Sequence, residues 1–421
     1  MKSKYRRIIQ ICVLALASGS IYLIPYTRYA FYDYQIKAMG ISNTQIGLLS
    51  TAYGIAAMIL YIPGGVLADK FSSRKLISGG LLLTTLFTVI YAFTSESYGL
   101  AVAIWVVFAV TTVFISWSAI MKAVRLCGTS DQQGFMFGLY YCIQGITGGI
   151  INAIAIWVSD FGGNMTTKFF YIVIVYAAST AVAGILAFIV IRDEEPAETV
   201  ANPEEKFQFS QAGRLLKSPK LWLLAIIVFC GYSIYSSTTY FTPYLTNVVG
   251  VSPQTTGFLS IFRTNFAYVF APLSGLVADK LIKSTSKWFI IMYAVMAVMF
   301  AGIFLIPGNA SVGFVSFYTI LPGIIGLAIY SITFSIATEI KIPVIFMGTA
   351  IGIASVIGYT PDIFMPTMFG NWLDKFGNTG YNYIFCYLIA VCIIAAVISC
   401  LVRISVKKDQ KNRLSGNAEL Q

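Results

Sequence analysis

The chain has 421 residues, of which 57% are hydrophobic and 11% charged, and a mean hydropathy of +0.78; this composition excludes a water-soluble globular domain and points to a polytopic membrane protein. The formal charge of +11 comes from short basic clusters between apolar runs, which signal topology, whereas a nucleic-acid binder gathers its basic residues on one face. The absence of histidine excludes a His-containing metal site and a histidine proton relay, and the absence of a Walker pattern excludes direct drive by ATP.

In chain order, apolar runs of about 20 residues predict twelve membrane-crossing helices, spans 1 to 12: 8–31, 43–68, 76–94, 99–121, 132–158, 168–191, 219–247, 255–278, 288–306, 311–336, 345–370 and 380–402. The first run follows Arg6 and Arg7, is longer than a signal-peptide core and lacks a small-residue cleavage site, so it counts as a span. The expected fold is an all-α membrane protein of two six-helix bundles. Its expected parts are residues 1–191, a hydrophilic cytoplasmic linker 192–218 rich in Glu, a second bundle 219–403 and a tail 404–421. A repeat supports the division: Gly40, Ser42, Gly47, Ser50 and Ala68-Asp69-Lys70 recur 210 residues later as Gly250, Ser252, Gly257, Ser260 and Ala278-Asp279-Lys280. Of the 28 basic residues, 23 fall in the termini, the even-numbered loops and the linker, against three (Lys37, Lys168 and Lys375) on the other side, which predicts cytoplasmic termini and a cytoplasmic linker. The seven cysteines lie mostly in apolar runs, form no CxxC pair, and are read as packing residues.

Ionisable residues inside a bilayer cost roughly 2.5–3.5 kcal/mol each on insertion scales, so each needs a reason. In span 1, Tyr22, Tyr26, Tyr29 and Asp33 share a helix face; Tyr22 and Tyr26 are expected in a polar cavity, and Arg28 either lines that cavity or snorkels to the headgroups. Beyond span 2, Gly65 and Asp69 share a face, with Arg74 or Lys75 able to pair with the carboxylate, and Gly275 and Asp279 are their echoes. Gly65 is expected to let a second helix approach closely. Lys122 and Arg125 are topology signals or an inner gate. Span 5 holds Gln144, Gly145, Gly148, Gly149 and Asn152, which small-residue packing explains. Span 7 carries Tyr232, Tyr235, Ser236 and neighbouring hydroxyls, a substrate wall or a self-satisfied run. In span 8, Arg263 with Asn265 beside it suits an anionic group, the alternative being a structural ion pair. The intramembrane carboxylates Asp33, Glu339 and Asp362 are candidates for proton coupling, Asp362 being the deepest.

The run Gly65-Val66-Leu67-Ala68-Asp69-Lys70-Phe71-Ser72-Ser73-Arg74-Lys75, with the twelve spans and the duplication, resembles the signature of the major facilitator superfamily, Ser72 standing where a glycine is usual. The resemblance implies a secondary transporter working by alternating access in a bacterial-style inner membrane, with Asp69 the chief member of a conformational latch. Short segments, Ser130 to Gly138 and Gly358-Tyr359-Thr360-Pro361, resemble bacterial permeases of the sugar-acid and organophosphate type. The expected substrate is a small organic anion, with a coupling proton or counter-anion. A monomer in the lipid bilayer is expected, with no nucleic acid, metal or cofactor. The rival readings are a proton-coupled drug exporter, whose span 5 Gly-Pro is missing here, and a transporter-shaped ligand sensor. No nucleophile–base pair suggests an enzyme.

Overall fold

A computed structural model describes residues 2–127, 133–192, 216–307, 310–342 and 344–418, and among these all regular structure is helical. The polarity of a soluble protein is inverted. Ile59, Phe93, Val298 and Phe317 are more than half exposed, while Thr84, Thr111, Thr112 and Ser116 are buried. Hydrocarbon solvates the former at no cost, and the latter satisfy themselves: Thr84 Oγ1 donates to the Gly80 carbonyl at 2.8 Å and Thr112 Oγ1 to that of Phe108 at 2.7 Å.

Spans 2, 3, 5 and 6 are continuous helices, Asn43–Lys70, Ser73–Thr94, Gln133–Ser159 and Met165–Val190. Span 4 runs from Tyr98–Ala109 through a π-helical stretch, Val110–Trp117, into Ser118–Leu126. Other spans are broken. In span 1, helix Lys2–Ile21 is separated from Arg28–Met39 by turns over residues 22–27, where Pro25 has no N–H to give and Thr27 Oγ1 donates to the carbonyls of Leu23 and Ile24. Span 7 passes from Pro219–Ser237 through a 3-10 turn, Thr238–Tyr240, into Phe241–Tyr244, and span 8 stops at Pro253–Thr264 before resuming beyond Asn265. Span 11 divides into Val344–Gly358 and Pro361–Phe376.

Nine stretches of the described residues are long and apolar enough to cross a membrane by length and composition; spans 1 and 8 are not among them. These two broken spans carry the buried arginines.

Packing divides the chain into two compact units: Met1–Thr199 with Tyr240–Tyr268 and Asp362–Gly380, and Val200–Thr239 with Val269–Pro361 and Tyr381–Gln421. In the first unit the late segments are tied to the early helices by polar contacts. The Asp374 carboxylate accepts from the N–H groups of Asn43 (2.9 Å) and Thr44 (2.7 Å) and from Asn43 Nδ2 (2.8 Å), closing the N-terminus of Asn43–Lys70. One turn on, Gly47 lies against the Pro366 backbone with no room for a Cβ. In the second unit, Pro219–Ser237 packs on Val344–Gly358 and on Val312–Ser331.

Candidate functional site: two buried arginines on a broken helix

Three consecutive residues at the break in span 7 organise the site within the first unit. Arg28, 5% exposed, holds its guanidinium carbon 5.0 Å from the Tyr29 ring centroid and 5.5 Å from that of Tyr240. Arg263, 1% exposed, donates from Nη2 to Thr242 Oγ1 at 2.8 Å and lies 5.9 Å from the Phe241 ring centroid. Thr242 in turn donates to the Tyr29 carbonyl at 3.2 Å, as does Ser260 Oγ. Tyr240, Phe241 and Thr242 therefore receive both cations, one through a ring and the other through a ring and a hydroxyl. A regular helix spaces consecutive side chains about 100° apart; the 3-10 turn and Pro243 bring this set onto the two arginines.

Asp362 stands in the first turn of Pro361–Phe376, where the helix end favours a carboxylate. Its Oδ2 accepts from Tyr26 Oη at 3.4 Å, and it acts electrostatically on Arg28. Gly54 leaves the space in which the Asp362 backbone lies, and Thr51 Oγ1 donates to the Ile363 carbonyl at 2.7 Å, so span 2 sets the carboxylate's depth. Tyr26 also packs against Tyr29 and Tyr53, with ring centroids 5.1 and 5.6 Å away. Tyr22 Oη donates to the Thr112 carbonyl at 3.2 Å, a group in the π-helical stretch, and the Thr112 hydroxyl shares a 2.9 Å bond with Tyr53. A wall of phenols and hydroxyls surrounds the two arginines, and the Asp362 carboxylate acts on Arg28. Such a wall suits an anion bearing hydroxyl groups.

Several sequence candidates thus converge: Tyr26, Arg28, Arg263 and Asp362, with Tyr22 on the adjoining network. Asn265 sits at the break of span 8; its Oδ1 faces Asn152 Nδ2 at 3.5 Å and Thr264 Oγ1 at 3.0 Å, and Gly148 of span 5 makes room for its amide. Asp33, 6% exposed, is engaged by the Thr246 hydroxyl near Lys37. Tyr232, Tyr235 and Ser236 belong to the second unit. There Tyr235 stacks on Tyr330 at 4.7 Å, Tyr232 meets Tyr359 edge-on at 4.7 Å, and Tyr330 and Tyr359 share a 3.0 Å bond. The hydroxyls of Ser236, Ser237, Thr238 and Thr239 turn to carbonyls of their own helix, the self-satisfied alternative.

Glu339, a candidate for proton coupling, is held at a helix start. Both of its oxygens are engaged by Ser284 Oγ (2.8 Å) and by Ser286 N and Oγ (2.7 Å each), at the start of helix Thr285–Gly302. The close helix approach expected at Gly65 is found one residue earlier: a Cβ on Gly64 would meet the Phe114 carbonyl at 2.8 Å, whereas at Gly65 it would meet only Ser118 Oγ at 4.0 Å, and at Gly275 only Ile332 Cγ2 at 3.7 Å. Arg74 Nε donates to the Phe188 carbonyl, with the guanidinium 4.2 Å from the Phe188 ring centroid. The side chains of Asp69, Asp279 and Arg125 and the segment Gly128–Gln132 lie outside the described residues. The sequence reading missed Tyr53, Thr112, Phe241 and Thr242; Pro243 inside an apolar span was the available sign of a break there.

The sequence matches the Major Facilitator Superfamily over residues 8–366. An inner membrane protein of Escherichia coli strain K12, YqcE, is 30% identical over 377 residues, 88% of each chain. The glycerol-3-phosphate transporter of Bacillus subtilis strain 168 is 22% identical over 444 residues, covering 94% of this chain and 93% of its own. Among solved structures, a bacterial homolog of the human lysosomal transporter Spinster, inward-facing and unoccupied, superposes with a TM-score of 0.73 at 16% identity over 97% of this chain and 98% of its own. At that identity the likeness speaks for the fold.

Proposed function

The chain belongs to the Major Facilitator Superfamily and is a multi-pass membrane transporter, not an enzyme, and on that premise we propose that it moves a small organic anion of the sugar-acid, sugar-phosphate, sugar-sulfonate or carboxylate type by alternating access. The observation that carries this reading is the pair of buried guanidiniums, Arg28 and Arg263, held by Tyr240, Phe241 and Thr242, with the Asp362 carboxylate acting on Arg28. Two such cations cost roughly 5–7 kcal/mol to place in a bilayer. A charge-assisted hydrogen bond to a substrate anion returns about 1.5–3 kcal/mol each. The similarity to a glycerol-3-phosphate transporter supports an anionic substrate. The distribution of basic residues supports cytoplasmic termini, and Asp69 with its echo Asp279 is the proposed latch.

Asp362, within reach of the Tyr26 phenol, is the proposed site of proton coupling. Asp362→Asn then abolishes gradient-driven accumulation in proteoliposomes and spares exchange at equal concentrations. Loss of both fluxes together would reduce it to a structural counter-charge.

The substrate class is tested by thermal-shift titration of the purified protein with small sugar acids, organophosphates and sulfonates. Wild type is stabilised by one class, and Arg263→Gln binds it roughly 10- to 150-fold more weakly. Undiminished binding of that anion by Arg263→Gln and Arg28→Gln alike would place the site elsewhere.

A further inference from the structure

The first unit holds a cavity of about 250 Å³ at the end where span 1 begins, with Leu14, Phe71, Leu126 and Ile191 among its apolar walls. Gln10, Ser72, Ser73, Lys122 and Arg192 line it, from the starts of spans 1 and 3 and the ends of spans 4 and 6. Both charged residues among its described walls are cations; no described carboxylate lines it. Lys122 uses one of its three N–H groups on the Ala68 carbonyl, at 2.7 Å, and keeps the others. Ser73 is 5% exposed and opens the 22-residue helix Ser73–Thr94, whose geometry leaves the N–H groups of Ser73 and Arg74 without an intrahelical acceptor.

A separate observation points to a ligand. Gln10 is 3% exposed, its Oε1 faces the Cys127 thiol at 4.0 Å, and its amide N–H groups have no acceptor among the described residues. The side chain lines the cavity, where a bound acceptor can take those N–H groups.

We propose that this cavity binds a phosphate group, supplied by a lipid headgroup or by a free phosphate, through the Gln10 amide, the helix end at Ser73, Lys122 and Arg192. The volume exceeds that of a phosphate, and every polar wall named here offers a donor. A bound phosphate ties together spans 1, 3, 4 and 6, which meet at this end.

The test uses the purified full-length protein and two probes. Inorganic phosphate is titrated by thermal shift in detergent, and retention of phosphatidylglycerol against phosphatidylcholine is counted by native mass spectrometry after extraction from vesicles of each. Stabilisation by inorganic phosphate assigns a soluble ligand, and retained phosphatidylglycerol that phosphate does not displace assigns a lipid. In either case Arg192→Gln and Gln10→Leu each weaken the interaction about tenfold, and Arg263→Gln leaves it unchanged, which separates this cavity from the arginine site. Lys122 also holds a helix-end carbonyl, so the test rests on Arg192 and Gln10. The proposal is overturned if neither probe binds, or if both variants bind as wild type does.

Discussion

The two copies of the repeated segment after spans 2 and 8 begin alike and end differently. Asp69 and Asp279 are 210 residues apart, but the serines that cap the following helices, Ser72 and Ser284, are 212 apart, so the second copy is two residues longer. The first copy leaves an α-helix at Lys70 and turns through extended Phe71. The second widens into a π-helix, Val277–Ile282, and turns through Lys283 in the left-handed region (φ 56°), with the Ser284 N–H returning to the Ala278 carbonyl. A wider turn and a left-handed closure absorb the additional residues. Counted from the cap, Lys287 then occupies the place of Lys75, each N–H donating to its cap serine at 3.2 Å. Arg74 is matched by Ser286, and the role of anchoring that helix end passes to Glu339. Lys287, which looks displaced in the sequence, is in register with Lys75, whereas Lys283 stands opposite Phe71 and Arg74 has no basic counterpart.

If the first copy is the working latch, Asp69→Asn loses most transport of the anion identified by titration while Asp279→Asn loses little, at equal membrane insertion. Uptake in proteoliposomes measures both, and equal losses would make the copies functionally equivalent. The second copy should instead depend on its new anchor. Glu339→Ala strips three hydrogen bonds from a helix start and is expected to cost about 2–3 kcal/mol, with Glu339→Gln intermediate, read from the thermal unfolding midpoint. Close packing sharpens the contrast further. Gly64→Ala should cost about 1–3 kcal/mol by pressing on the Phe114 backbone, whereas Gly65→Ala and Gly275→Ala stay within about 0.5 kcal/mol. The smallest effect is a gain: Lys283→Gly relieves the left-handed backbone and should stabilise by about 0.5–1 kcal/mol. An unchanged or lower midpoint there would mean that the Lys283 side chain holds the turn.

How far the site could be read in advance depends on the kind of residue. Arg28, Arg263 and Asp362 were legible because a charge inside an apolar run is costly and rare. Thr242 and Tyr53 were not, because hydroxyls and phenols are common in membrane helices and most serve their own backbone, as Ser237 and Thr239 do. Glu339 shows the same limit from the other side: a carboxylate at a span's end reads alike as a proton carrier or a cap until its partners are known. Gly64 and Gly65 are adjacent and identical in type, and only the path of Val110–Trp117 decided which one is pressed.

By itself the sequence determined the class of protein, the apolar runs, their duplication and the asymmetry of basic residues, since these follow from the cost of putting backbone and charge into hydrocarbon. Tertiary structure decided where the helices break and which side chains meet at the breaks. A backbone group released at a break must find its partner on another helix, as the Tyr29 carbonyl does in Thr242 and Ser260, 213 and 231 residues along the chain. No local pattern specifies a partner at that separation; the packing of the first unit does.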